Sequence, residues 1–168
     1  MEEGGKRKLT AMGLFYMFYA SKISTGSHLR PVVREDSPKY TSPELIYNNF
    51  KQLSNLDREH FMVVHLDGQN RILAKETISI GSLNETTVHP REVFKGAVLN
   101  GSAAVILLHN HPSGNPSPSL SDIATTDRLR KAGNIVGIQV LDHIIIGTFG
   151  FYSFCAAEQK KNTRRKAA

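Results

Sequence analysis

Apolar residues recur along this chain with two different periods, and the switches between them mark out the elements. Leu45, Ile46, Phe50 and Leu53 fall on one helical stripe. Ser42, Pro43 and Glu44 precede it as an N-cap, a first-turn proline and a first-turn acid, so the pattern predicts a helix from residue 42. Residues 61–66 (FMVVHL) and 71–80 (RILAKETISI) read as strands, and Asp67-Gly68-Gln69-Asn70 between them reads as a hairpin turn. Residues 81–88 read as irregular chain. A second helix starts at Pro90, with Val93, Phe94, Ala97 and Val98 apolar, and ends before Gly101. Residues 103–108 (AAVILL) lack any polar position, which predicts a strand buried on both faces. A third helix is expected over 119–132, capped by Ser119 or Ser121 and stopped at Gly133. Three short strands are then expected at 135–141, 144–147 and 151–154. Because the strand at 103–108 has no polar face, helices must cover the sheet on both sides.

The N-terminal region gives a weaker pattern. An apolar run of 12 residues, 9–20, follows Lys6, Arg7 and Lys8. It is shorter than the ~17–25 residues of a membrane span. A signal-peptide cleavage after Ala20 would leave Phe18 where a small residue is wanted. Its aromatic composition suits a strand or interaction segment better. Residues 21–41 read as a linker or extended arm.

The chain has 168 residues and a net charge of +6. Residues 158–168 hold five cations against Glu158, a net of +4, so the rest of the chain carries only about +2. The charge therefore points to a basic tail, expected to be disordered, rather than to a nucleic-acid-binding face. Such a tail offers at most weak, salt-dependent contact with nucleic acid. The single cysteine, Cys155, excludes an internal disulfide and suits a reducing, cytoplasmic compartment.

The densest chemistry lies at 109–122, HNHPSGNPSPSLSD. Side chains two apart on a strand share a face, so His109 and His111 can reach one ion as the buried strand ends. Pro112, Gly114, Pro116 and Pro118 then shape a loop. Asp122 follows in the first turn of a helix, where the helix dipole favours a carboxylate. Two nitrogens and one carboxylate oxygen are three ligands for a zinc ion, with a fourth position left open for water. Ser119 either caps the helix or points at a reacting oxygen. A base is also required, and Glu59, Glu76, Glu85 and Glu92 are the candidates. His65, His89 and His143 are expected to be structural, His143 as a support for a ligand rather than a ligand itself.

His109, Asn110, His111, seven further residues, Ser119, two more and Asp122 match H-x-H-x(7)-S-x(2)-D, the JAMM motif of MPN-type metalloproteases. Asn110 within HNHPSG resembles the RadC-like branch, where deubiquitinase-type members have Ser or Thr. Residues 88–92, 103–107, 141–147 and 152–154 also look like that branch. The resemblance spans about residues 41–155. It implies the MPN/JAB fold, a mixed α/β architecture with a mixed sheet sandwiched between helices, similar to cytidine deaminases. It implies zinc on His109, His111 and Asp122, Ser119 stabilising an oxyanion, and Glu59 as base, with Glu92 as runner-up. The implied domains are an extension at 1–40, an MPN/JAMM domain at 41–157 and the tail at 158–168. Residues 1–41 are too short for the helix-hairpin-helix of full-length RadC proteins, so a short form is expected. The function expected is cleavage of a peptide or isopeptide bond in a protein or peptide substrate. A DNA-associated accessory protein and a non-catalytic MPN interaction module are the alternatives.

Overall fold

The computed structural model describes residues 38–81 and 88–166. Helix α1 (Pro43–Phe50) continues into a 3₁₀ turn over Lys51–Asn55. Strands β1 (His60–Leu66) and β2 (Ile72–Ile80) form the hairpin. Helix α2 (Pro90–Leu99), strand β3 (Ala104–Asn110) and helix α3 (Leu120–Val136) follow. Strands β4 (Gln139–Gly147) and β5 (Gly150–Ser153) and helix α4 (Phe154–Lys166) complete the described chain.

The five strands make one sheet in the order β2-β1-β3-β4-β5. Only the β3–β4 pair is parallel, so the sheet is mixed. Every residue of β3 is buried, which is why its first five residues carry no polar side chain. Its alternate residues feed two cores. Ile106 and Leu108 join Ile46, Phe50 and Leu53 from α1 and the 3₁₀ turn. Val105 and Leu107 join Val93, Phe94 and Ala97 of α2 and Leu129 of α3. Each aliphatic side chain so removed from water contributes ~1.5–3 kcal/mol, and two such cores fix which face of β3 meets which helices. The fold is therefore the expected mixed sheet between helices.

Three expectations are corrected. Helix α3 does not stop at Gly133 but runs to Val136, and Gly137 ends it at φ 78. Gly133 is instead a packing point, since a Cβ there would lie 2.5 Å from the Ile138 carbonyl oxygen. Residues 139–147 form one strand where two were expected, because Asp142 and His143, polar in sequence, are fully buried and hydrogen-bonded. The basic segment is not a disordered tail. Residues 154–166 are helical: Phe154 is buried at the start, Arg130 pairs with Glu158, and the Ala, Glu, Gln, Lys and Arg residues between are strong helix formers. Residues 9–20 and 21–37, and candidate base Glu85, lie outside the described residues. No described helix is long and apolar enough to cross a membrane.

Candidate metal centre

The β1–β3 ladder is antiparallel and pairs Phe61 with His109. Side chains alternate along both strands, so His109 points to the same core as Val105 and Leu107, and His111 follows on that side. Helix α3 covers that core and brings Asp122 to the end of the strand. His109 Nε2 lies 3.0 Å from His111 Nε2 and 3.1 Å from Asp122 Oδ1, and His111 Nε2 lies 3.5 Å from Asp122 Oδ2. His109 and Asp122 are buried, while the His111 side chain is 13% exposed, which leaves a route to solvent past its ring.

Ser119 and Asp122 form a reciprocal capping box. The Ser119 hydroxyl accepts from the Asp122 N–H at 3.1 Å, and the Ser119 N–H and hydroxyl both donate to Asp122 Oδ2 at 2.7 Å. Oδ2 is thus held by the helix start, and Oδ1 is turned to the histidines. Oδ1 is buried without a hydrogen-bond donor.

The tautomer of His109 follows from a chain that ends on a carbonyl. Thr126 donates its only hydroxyl proton to the Asp122 carbonyl oxygen at 2.6 Å. Its oxygen must then accept from His143 Nδ1, also 2.6 Å away. Burial pushes the His143 pKa well down, and the neighbouring His109 adds to that, so His143 is neutral and its Nε2 is an acceptor. His109 Nδ1, 2.7 Å from that nitrogen, is the donor. The His109 Nε2 therefore carries the lone pair that faces the cluster. His111 reaches the same state more simply, because its Nδ1 donates to the Asn115 carbonyl at 2.8 Å.

Two lone pairs and an unpartnered carboxylate oxygen converging within about 3 Å leave the cluster in need of positive charge, which a metal ion meets directly. In the metal-free cluster a shared proton meets the same need. An Nε2–H on His111 bonded to Asp122 raises the His111 pKa against the opposing effect of burial, and the Glu59 charge adds a smaller upward push. Burial alone would raise the Asp122 pKa. A proton shared from His109 or His111 in that metal-free state, followed by the Ser119 hydrogen bond, more than offsets this and holds the carboxyl well below its usual range.

Among the expected residues, the structure brings His109, His111, Ser119 and Asp122 together. Glu59 stands one residue before β1. The β1–β3 ladder ends at Phe61 and His109, so Glu59 precedes the paired strand at the cluster's end of the sheet. Glu76 goes elsewhere, to 3.5 Å from the buried His65 Nε2, and Glu92 pairs with Arg91 at 3.0 Å. Sequence reasoning missed Thr126, although it lies one helical turn beyond Asp122 and so on the same side of α3.

The ligand loop also rests on β4. The His111 N–H bonds the Ile146 carbonyl at 2.9 Å, and the Gly114 N–H returns to the His111 carbonyl at 2.9 Å. Gly147 permits this approach, because a Cβ there would lie 2.3 Å from the Gly114 oxygen.

A family model described as RadC-like JAB domain matches residues 40–161. A UPF0758 protein of Geobacter sulfurreducens is 53% identical over 122 residues, which are 72% of this chain and 53% of that protein. A UPF0758 protein of Caldanaerobacter subterraneus is 50% identical over 126 residues, 74% of this chain and 54% of the relative. A third, of Methanosarcina mazei, is 46% identical over 129 residues, 76% and 56% of the two chains. The chain spans about half the length of the curated relatives it matches.

Proposed function

Because the chain belongs to the RadC-like JAB domain family, we propose that it is a zinc-dependent metallohydrolase that cuts a peptide or isopeptide bond with an activated water. One observation carries this reading: the His109 and His111 Nε2 atoms lie 3.0 Å apart beside an unpartnered, buried Asp122 Oδ1. A zinc ion held by His109, His111 and Asp122 would supply Lewis acidity and lower the pKa of water toward ~7. Glu59, just before β1, takes the proton of the attacking water and passes it to the leaving amine as the C–N bond breaks. Ser119 serves in two roles. It holds Asp122 Oδ2 at rest, and its hydroxyl turns to donate to the oxyanion.

Residues 41–157 carry the hydrolase domain in this reading, the substrate is a protein or peptide, and the free Cys155 supports a reducing, cytoplasmic compartment. Metal analysis of the purified protein tests the centre. About one zinc per chain is expected, and its loss in His109→Ala and His111→Ala variants. Zinc-loaded protein is then expected to cleave members of a peptide library that the Glu59→Gln variant leaves intact. A native protein that takes up no zinc sinks the reading, and equal cleavage by the Glu59→Gln variant removes Glu59 as base.

A second reading rests on α4, where Lys160, Lys161, Arg164 and Arg165 are all exposed and spaced as two adjoining i,i+4 rows. Such a surface fits nucleic-acid phosphates. Replacing Lys160, Lys161 and Arg164 by Glu is then expected to abolish binding to duplex DNA, and unchanged affinity and salt slope would remove this reading.

A further inference from the structure

We propose that Asn110 is a positioning residue that holds the main chain on both sides of Glu59. This rests on the assignment of Glu59 as base. The regular β1–β3 ladder ends at the pair Phe61 and His109. One residue further out, the Asn110 side chain takes over. Its Oδ1 accepts from the His60 N–H at 2.8 Å, and its Nδ2 donates to the Arg58 carbonyl at 2.9 Å. These are the groups immediately after and immediately before Glu59. The Glu59 carbonyl is tied separately by the Gly81 N–H at 2.9 Å.

Among side chains of this length, asparagine alone offers one fixed acceptor and one fixed donor in a single rigid plane. A serine or threonine has one oxygen, and an aspartate has no donor when ionised. The amide is fully buried, so neither bond is exchanged for water. Asn110 also sits between His109 and His111 in the chain. The same residue that separates the two histidines thus fixes where the start of β1 lies relative to them. A carboxylate that must take a proton from a small bound molecule loses rate steeply with displacement, on the order of 10²-fold for 1 Å.

The test uses the full chain loaded with Co²⁺, whose visible absorption changes with pH. Four samples are compared with the wild type: Glu59→Gln, Asn110→Ser, Asn110→Asp and the double variant Glu59→Gln/Asn110→Ser. Glu59→Gln is expected to move the inflection pH. Asn110→Ser is expected to move it in the same direction, with cobalt affinity by chelator competition within ~3-fold of wild type, less than the ~10–100-fold typical of a lost ligand support. The double variant is expected to match Glu59→Gln alone, because Asn110 acts through Glu59.

A wild-type inflection in Asn110→Ser beside a shifted one in Glu59→Gln overturns the proposal and leaves Glu59 standing. An unshifted Glu59→Gln overturns the role of Glu59, and the proposal with it. Asn110→Asp keeps the acceptor for His60, loses the donor to Arg58 and adds a negative charge beside the cluster, so its inflection is expected to differ from that of Asn110→Ser, and identical inflections overturn the proposal. If both single Asn110 variants fail to fold, Asn110 is a residue of the fold and the positioning role is wrong.

Discussion

Replacing Thr126 with Val removes one hydroxyl from a side chain of nearly the same shape, and the structure says where the cost falls. With metal bound, His109 must present a bare Nε2, so its Nδ1 carries the proton and His143 Nε2 accepts it at 2.7 Å. His143 then keeps its own proton on Nδ1, which only Thr126 receives. In the Val variant that N–H is fully buried with no acceptor, a penalty of ~1–3 kcal/mol. The metal-free protein escapes it. Both imidazoles shift their protons, His143 donates from Nε2, and the His109 Nε2 proton turns to Asp122 Oδ1 at 3.1 Å. The penalty therefore appears in the binding equilibrium. At about 1.4 kcal/mol per decade it lowers zinc affinity ~5–150-fold. Competition with a chromophoric chelator at neutral pH measures this. Thr126→Ser, which keeps the hydroxyl, is expected to stay within about threefold, well under that penalty. Nitrogen-15 spectra of metal-free Thr126→Val are expected to show His109 protonated at Nε2. Equal affinity of Thr126→Val and wild type, or equal weakening by Val and Ser, would refute the tautomer chain.

Two further perturbations test the scaffold around the cluster. Gly147→Ala places a Cβ 2.3 Å from the Gly114 oxygen and 2.9 Å from Pro116 Cδ, so the ligand loop must withdraw by about 1 Å, and a loss of ~1–3 kcal/mol is expected in urea unfolding. An unchanged midpoint would mean that the loop does not rest on β4. His65 is buried on β1, and burial pushes its pKa down against the opposing pull of Glu76. The unfolded chain then holds the proton more tightly, so this group's stability is present above its unfolded pKa of ~6.5 and is lost as pH falls toward the depressed folded value. Metal-free protein is expected to lose stability below that pH, and His65→Gln to lower the slope by up to ~1.4 kcal/mol per pH unit. An identical slope in the variant refutes the assignment.

Much of this arrangement is legible in the chain itself because it is local. The period of two at 61–66, the unbroken apolar run at 103–108 and the Ser42-Pro43-Glu44 helix start each carry their own physics within a few residues. The convergence of His109, His111 and Asp122 is legible for the same reason. One strand end, one loop and one capping box produce it. The misreadings arise where a tertiary partner overrides the local signal. Gly133 reads as a stop until Ile138 packs against it, and Asp142 reads as a strand break until Ser153 and Tyr40 donate to its carboxylate. The basic segment reads as a solvated tail until Phe154 and Glu158 anchor it. His143 and Asn110 are visible as residues, but their roles depend on pairings 34 and about 50 positions away.

Register is what converts these separate pieces into one site. Along β1 and β3 each pair of partners moves one residue inward on one strand and one outward on the other, from Leu66 with Ala104 to Phe61 with His109. The same register brings Asn110 level with His60, whose N–H its side chain holds at 2.8 Å, and so carries the chain at Glu59 to the cluster's end of the sheet. A slip of one residue would turn Phe61 to the wrong face, and that is expensive because its ring is buried in the core beneath α2 and α3. The apolar core thereby fixes, at no separate cost, the placement of a carboxylate lying outside it. Asp122 is set independently, by a capping box that belongs to α3, and the Leu129 contact anchors α3 to the same core. Substitutions that loosen Phe61 or Leu129 should therefore weaken metal binding without touching a ligand, because both routes to the cluster pass through those side chains.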